Sequence, residues 1–399
     1  MKSSKSIFIS FLIIGLILLF LDIFVFNGTD LQLLKQQRVE NLKNLPKNEP
    51  IKIGVAWTFP PYALKDDLKN GILLALKELN GEILGRKVKI VFKNDKAKKS
   101  VAINIANNFA NDENIIAVIA HNNVNIAIPA SVIYEYSGVI MLSPAISSPD
   151  FTRKSFEYIF RNTPGDTNIG QQIANFATLM NFRKIIILNS RDRHSRALTK
   201  GFKRKAITDG LNIVYSNDFD KTERNFAEIM STISPKINHT IDYDAVFVAG
   251  NINSISALVH KARQYGVYAP FITGNILNGV ETLKMKKYMD NTIVATIYNE
   301  ELIYKKTQDF INTFKKLYGH VPDTWGAQGY DAIMLLAKAI TEANSLDGAL
   351  VSEQLKYMRD YDSIFGKYSL NTKGDVVGRK ISFKAVKDGN FHYIHKELK

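Results

Sequence analysis

Short apolar runs rich in β-branched residues alternate with amphipathic helical patterns from Ile51 onward, and this alternation limits the possible folds more than any other feature. Predicted strands occupy residues 51–57, 87–95, 115–120, 138–143, 184–189, 212–216, 243–250, 270–275 and 291–297. Strands that alternate with helices form parallel sheets with helices on both faces. A chain of 399 residues has room for two domains. We therefore predict an α/β protein of two lobes, each built on a parallel sheet.

The segment 69–81 is typical of the patterns between the strands. Its apolar residues recur at helical spacing, and the predicted buried face consists of Ile72, Leu73, Leu76 and Leu79.

The first 27 residues have the pattern of a signal anchor. A nearly unbroken apolar stretch runs from Ile7 to Phe26 behind a lysine-containing start, and 20 residues at 1.5 Å each just span a hydrocarbon core. No small-residue cleavage site follows. Asp22 would be costly in the middle of a bilayer, so a cleaved signal peptide remains the alternative. The positive flank stays in the cytoplasm. We predict an N-terminal transmembrane helix that holds the chain on the extracytoplasmic face of the cytoplasmic membrane, in the periplasm or at the cell surface.

Residues 28–50 connect this segment to the first strand. Leucines at near-helical spacing favour a short juxtamembrane helix, and a loosely structured linker that ends at Pro46 remains the alternative. The sequence PKNEP at 46–50 marks the expected domain boundary.

The charge balance does not indicate a nucleic-acid partner. The chain has 52 Lys and Arg against 38 Asp and Glu, but the basic residues are scattered, and the densest run, 93–100, has no aromatic residues to stack bases. There is no cysteine, so disulfides and thiolate metal sites are excluded. We expect no metal and no cofactor.

Catalytic motifs are absent from the sequence. Ser143, Ser147 and Ser148 lack the G-x-S-x-G setting of a nucleophile elbow, and no glycine-rich phosphate loop or H-E-x-x-H pair occurs. The loops after the predicted strands are instead rich in Asn, Ser and aromatic residues, and ligands of open parallel sheets bind beyond the carboxyl ends of the strands. We predict a protein that binds a small molecule and performs no catalysis.

The order of segments over about 51–395 resembles the type I periplasmic solute-binding proteins, in the branch that binds leucine, isoleucine and valine or amide compounds for ABC importers. The residues that carry the resemblance lie at 70–95, 116–149, 158–176, 243–251, 329–340 and 366–391. The resemblance implies two Rossmann-like lobes joined by a three-strand hinge, with the ligand trapped between them. It places lobe one at 51–162 and 297–380, and lobe two at 163–296 and 381–399.

The resemblance also implies ligand-binding positions. Ala145 and Ser147, in the loop SPAISSP, would meet the ammonium and carboxylate of an amino acid, unless Ser147 merely caps the next turn. The facing loop of lobe one and the loops of lobe two would supply Asn122, Asn123, Val124, His194, Asn251 and Asn275. Aromatic walls, or plain core, are expected from Trp57, Tyr62, Tyr298 and Trp325.

Several of these positions depart from the amino-acid pattern of the family. His194 replaces a tyrosine, Val124 lacks a hydroxyl, and Asn275 stands where the amino-acid binders have an acidic residue. A neutral amide supplies no charge for an ammonium, so we expect leucine, isoleucine and valine to bind weakly and a neutral or anionic ligand to be preferred. The expected function is capture of a small polar ligand, amino-acid-like or amide-like, for an ABC permease. A ligand-sensing receptor subunit with a membrane signalling partner is the alternative.

Overall fold

Two sheets organise the chain in the computed structural model, which describes residues 31–59, 66–220, 222, 226–237, 241–277 and 286–395. The first sheet has six strands in the order β2-β3-β1-β4-β5-β6. They are Ile51–Trp57 (β1), Glu82–Ile83 (β2), Arg86–Asn94 (β3), Ile115–Ala120 (β4), Ile140–Ser143 (β5) and Ile159–Arg161 (β6). All neighbours are parallel except β2, which forms an antiparallel hairpin with β3.

The first sheet has helices on both faces. The early helices are 31–44 (α1), Asp67–Glu78 (α2), Lys99–Asn111 (α3) and Val124–Tyr136 (α4). Three helices return to this lobe later in the chain: Lys305–Tyr318 (α10), Thr324–Ala343 (α11) and Gly348–Tyr357 (α12). Alternate residues of β1 serve the two faces, as expected for a pleated strand: Val55 belongs to the core cluster that includes α2 and α11, and Ala56 to the cluster that includes α3 and α4.

The second sheet has seven strands in the order β16-β15-β11-β10-β9-β7-β8. They are Lys184–Ser190 (β7), Asn212–Phe219 (β8), Ala245–Ala249 (β9), Phe271–Thr273 (β10), Thr292–Thr296 (β11), Ser382–Lys387 (β15) and Asn390–Tyr393 (β16). The helices of this lobe are Asp166–Leu179 (α5), Arg193–Thr208 (α6), Ala227–Ile233 (α7), Ile252–Gln264 (α8) and Lys286–Met289 (α9), with a 3₁₀ turn at Asn275–Leu277. The two-lobed α/β architecture is therefore confirmed.

The body of both sheets is parallel, as predicted, but each sheet also has an antiparallel edge, at β2 in the first sheet and at β15 and β16 in the second. β15 runs antiparallel to β11, and β16 returns beside it. A third, small antiparallel sheet also forms from Tyr361–Ser363 (β12), Gly366–Leu370 (β13) and Val376–Val377 (β14). These strands are short and half-polar, so no continuous apolar run marked them.

The chain passes from one lobe to the other three times. The passages follow β6 at Asn162, β11 at Ile297 and β14 at Gly378, and they bring three backbone segments together between the sheets. These three segments join the two lobes, at the place where the resemblance predicts a hinge.

The predicted buried face of α2 was partly wrong. Leu73 is exposed, whereas Ile72 and Gly71 are buried against α11. A Cβ at Gly71 would lie 2.0 Å from the carbonyl oxygen of Gly326, so the two helices touch through glycine backbone. Apolar periodicity alone cannot reveal a contact made by residues without side chains.

Helix α1 is docked on the first lobe. Leu42 and Leu45 are buried in the lobe's core. The buried guanidinium of Arg38 donates to the carbonyl oxygens of Asp112 (2.8 Å), Ile115 (2.6 Å) and Ser137 (3.2 Å), and also to that of Ala110. Because these oxygens lie at or just beyond the carboxyl ends of α3 and α4, the cation also meets the negative ends of two helix dipoles.

The predicted anchor at 1–27 lies outside the described residues. Within the part of the chain that the structure describes, no helix is both long enough and apolar enough to cross a membrane.

Candidate ligand-binding site

The side chains of Ser143 and Arg161 fix the loop 143–149, which follows β5. Ser143 Oγ accepts a hydrogen bond from the Ile146 amide at 3.2 Å. The buried guanidinium of Arg161 donates to the carbonyl oxygens of Ile146 (3.1 Å) and Ser148 (3.0 Å) and pairs with Asp375 at 2.6 Å. These bonds hold the loop in one conformation, and a preformed binding loop loses little conformational entropy when a ligand binds.

The two residues predicted from this loop remain accessible. Ala145 and Ser147 are both partly exposed. The carbonyl oxygen of Ser147 accepts from the Asp166 amide at 2.9 Å, and its hydroxyl has no hydrogen-bond partner within the described residues. The turn-capping role falls to Ser148, whose Oγ accepts from the Asp150 amide at 3.3 Å. The Ser147 hydroxyl is thus available to a ligand.

The facing loop after β4 uses its polar side chains locally. Asn123 caps α4 by accepting from the Asn125 amide at 2.9 Å, and Oδ1 of exposed Asn122 lies 2.9 Å from Thr58 Oγ1. Val124 is the first residue of α4 and packs partly on the core. What this loop can offer a ligand is the positive end of the α4 dipole, since the amides of Asn125, Ile126 and Ala127 already donate to Asn123.

Beneath these loops lies a buried polar link. The carboxylate of Asp95 contacts His121 Nδ1 at 2.7 Å and accepts from Thr58 Oγ1 at 2.6 Å, and His121 and Asp95 are both fully buried. Desolvation raises the pKa of Asp95, but the hydrogen bonds it accepts outweigh this and lower the pKa overall. His121 therefore joins the ends of β1, β3 and β4 and does not line the cleft.

In the second lobe the main finding is a carboxylate that the sequence did not reveal. Asp166, the first residue of α5, is fully buried, and its Oδ1 lies 3.0 Å from Nδ1 of His194. Its backbone amide is the one that donates to the Ser147 carbonyl oxygen, so Asp166 adjoins the loop 143–149, the predicted ligand loop. Desolvation lowers the pKa of His194, but the hydrogen bond and charge of Asp166 and the charge of Asp192 outweigh it, and the net shift is upward.

The two asparagines predicted from this lobe have different settings. Asn251 caps α8, and its side-chain oxygen accepts from the Ser254 amide at 3.0 Å. Asn275 begins the 3₁₀ turn and is partly exposed, next to residues 278–285 that lie outside the described chain. Asn251 is therefore primarily a helix cap, whereas Asn275 keeps an accessible position after β10.

The aromatic residues divide into core and surface. Trp57 and Tyr298 are only 5% and 4% exposed and belong to the core of the first lobe, so the structure places neither as an open cleft wall. Trp325 is 38% exposed and meets Trp57 edge-on at 5.5 Å between ring centroids. Tyr62 lies outside the described residues. Of the three that the structure describes, Trp325 is therefore the one with substantial exposed surface.

Comparison with known proteins decides the family. The sequence model of the periplasmic binding proteins matches residues 50–390. The chain belongs to this family. Its members are extracytoplasmic binding components without catalytic activity, in agreement with the prediction of binding without turnover. Helix α1 lies outside the matched range.

Individual relatives extend over most of the chain. The Leu/Ile/Val-binding protein homolog 1 of Brucella abortus (strain 2308) is 24% identical over 353 residues, which cover 87% of this chain and 93% of that protein. An ABC transporter substrate-binding protein from Desulfitobacterium hafniense has a solved structure with a TM-score of 0.77 and 30% identity, covering 87% of this chain and all of that one. Its complex with Leu gives a TM-score of 0.76.

Proposed function

We propose that this protein is the solute-binding subunit of an ABC importer and that it captures a zwitterionic amino acid between its lobes. The observation that carries the proposal is the juxtaposition of Asp166 with the loop of Ser147. The backbone amide of Asp166, whose carboxylate is buried, donates to the carbonyl oxygen of Ser147 at 2.9 Å, in the loop that also carries the Ser147 hydroxyl. The D. hafniense protein solved with Leu, at 30% identity, supports the same ligand class.

Asp166 changes the argument drawn from Asn275. The sequence suggested that the site lacks an acidic partner for an ammonium, because the family position carries an amide. Asp166 can supply that charge from the hinge side of the cleft, where it is desolvated and therefore strong. In this proposal the carboxylate of the ligand lies at the amino end of α4, the positive end of the helix dipole. We therefore infer that leucine and related amino acids are better first ligands to test than neutral amides.

Calorimetry with leucine tests this proposal. The change Asp166→Asn keeps the shape of the side chain and removes its charge, and we expect affinity to fall by roughly 10- to 100-fold, the worth of one charge-assisted hydrogen bond. Asp150→Asn is the matched control, because Asp150 lies in the same region but pairs with Arg153 and Arg193. An exposed pair of this kind contributes about 0–1 kcal/mol. Equal losses in both variants would contradict the assignment.

A sensing role is the second candidate, and it rests on the departures at Val124, His194 and Asn275. In that case the closed form would be read by a membrane partner that carries no substrate across. Permease and ATPase genes beside this one would support import, whereas a kinase or cyclase gene would support sensing.

We further propose that residues 1–27 remain attached as a membrane anchor. The support is the apolar stretch from Ile7 to Phe26. Since α1 is docked on the first lobe from residue 31, an anchored chain would hold that lobe close to the membrane surface, because five residue steps from Phe26 to residue 31 span at most about 18 Å.

A further inference from the structure

A buried arginine ties the three interlobe passages together. Arg379, in the third passage, donates through Nη2 to the carbonyl oxygen of Ile297 in the second passage at 2.9 Å. Its Nη1 donates to the carbonyl oxygen of Asn162 in the first. The guanidinium lies 3.4 Å from the ring centroid of Phe365. One side chain of the third passage therefore bonds the backbone of the other two.

The same guanidinium is connected to the ligand loop. Nη1 of Arg379 also donates to Gln328 Oε1 at 2.9 Å, and Gln328 Nε2 donates to the carbonyl oxygen of Pro144 at 2.8 Å. Gln328 is fully buried in α11, so water does not compete for these bonds. Pro144 lies between Ser143 and Ala145, at the start of the loop that carries Ser147. The path from hinge to ligand loop thus contains two hydrogen bonds and one side chain.

The ligand loop is also bonded directly to the first passage. The Asn162 amide donates to the carbonyl oxygen of Ser143 at 3.3 Å, and the Asp166 amide donates to that of Ser147 at 2.9 Å. Rotation of the lobes changes the distances between the passages, and Arg379 cannot follow Asn162 and Ile297 independently because its planar fork has fixed geometry.

We propose that Arg379 and Gln328 form a relay that couples the angle between the lobes to the position of the ligand loop at Pro144. The proposal rests on the proposed function only in taking residues 143–147 as the ligand loop. Arg379 and Gln328 are positioning residues here, since they act through the loop and contact no ligand. Loop and hinge then behave as one two-state element, in which ligand contact and lobe closure favour each other.

The test measures the protein without ligand. The chain has no cysteine, so one spin label can be attached at Asn108→Cys on α3 and a second at Thr208→Cys on α6 of the same molecule. Pulsed electron resonance then measures the distance between the lobes. Hydrogen exchange of the Ala145 and Ile146 amides reports the loop. Gln328→Met keeps the volume and removes both relay bonds. Thr307→Val is the control, since it removes one buried bond in the same lobe, from Thr307 to the carbonyl oxygen of Ile364.

We expect Gln328→Met to broaden the interlobe distance distribution and to speed hydrogen exchange of the loop amides at least about tenfold. Thr307→Val should leave both the distance distribution and the exchange rates unchanged. Arg379→Lys should give the same result, and the double variant should add little, because both residues act in one path. If Arg379→Lys does not fold, Gln328→Met decides alone. If Gln328→Met changes the interlobe distances and the loop exchange no more than Thr307→Val does, the relay is refuted. Leucine is added afterwards, so that its failure to close the lobes would count against the ligand assignment and not against the relay.

Discussion

The pair of His194 and Asp166 gives ligand binding a pH dependence whose sign identifies the class of ligand. In the free protein the pKa of His194 is raised, so the imidazolium occupies Asp166 at low pH. An incoming ammonium shares the same carboxylate and repels the imidazolium, which lowers the pKa of His194 in the complex. Binding of an amino acid therefore releases a proton, and its affinity should rise with pH until His194 is neutral in the free protein.

The size of the effect follows from the geometry. Two cations on one carboxylate are about 5 Å apart, and at an effective dielectric constant of about 20 their repulsion is about 3 kcal/mol. That corresponds to about two decades of affinity over the whole transition, with a slope of at most one decade per pH unit for one proton. An anionic ligand should show the opposite sign, and a neutral amide almost no dependence.

Isothermal titration calorimetry with leucine in buffers of different ionisation enthalpy measures both the slope and the released proton. His194→Gln is the control, because it keeps a donor near Asp166 and does not titrate. The contribution of His194 to the stability of the ligand-free protein should instead decrease as pH rises. A raised folded-state pKa contributes stability at low pH, and this is lost as pH rises through it. Leucine affinity that increases as pH falls, or an unchanged slope in His194→Gln, would refute the reasoning.

Three further predictions concern other parts of the molecule. Arg38→Met should lower the free energy of unfolding by about 3–5 kcal/mol, because buried carbonyl oxygens lose their donor, whereas Lys43→Met on the exposed side of α1 should change it by less than about 0.5 kcal/mol in chemical denaturation. Asn275→Asp should tighten leucine binding in calorimetry if the side chain faces the ligand, and an unchanged dissociation constant would place it outside the site. Full-length protein should fractionate with membranes and keep Met1 or Lys2 as its first residue in N-terminal sequencing, and a soluble product that starts near residue 27–30 would contradict the anchor.

The longer inner strands could be read from the sequence because they are parallel and buried on both faces, whereas the three-residue strand β6 was not predicted. The predicted run 115–120 coincides with β4, in which every residue is buried. The run at 51–57 coincides with β1. What the sequence could not show is proximity across the hinge. Asp166 lies 19 positions after Ser147 and opens a helix, where an acidic residue needs no functional explanation. Only the passage between lobes brings its amide to the Ser147 carbonyl and its carboxylate to His194.

The docking of helix α1 on the first lobe is a second feature that could not be predicted from the sequence. Its leucine spacing was compatible with either a helix or a loose linker, and the deciding residue is Arg38. An arginine in a polar, amphipathic segment is ordinarily solvated, so nothing in the sequence marked it as buried. Its partners are backbone carbonyl oxygens 72–99 positions away, and backbone groups carry no signature in a sequence. Contacts between a side chain and distant backbone are therefore the class that sequence patterns miss.

The three buried arginines have a common role: they join distant parts of a chain that has no cysteine and therefore no disulfide. Arg38 joins α1 to the ends of α3 and α4, Arg161 holds the ligand loop, and Arg379 joins the three interlobe passages. Each binds backbone carbonyl oxygens at a place where distant parts of the chain meet. Guanidinium groups suit this role because their five donors lie in a fixed plane and they keep their charge at neutral pH. Unlike a disulfide, such a bond can break and re-form within the native state, and a hinge that must rotate requires that property.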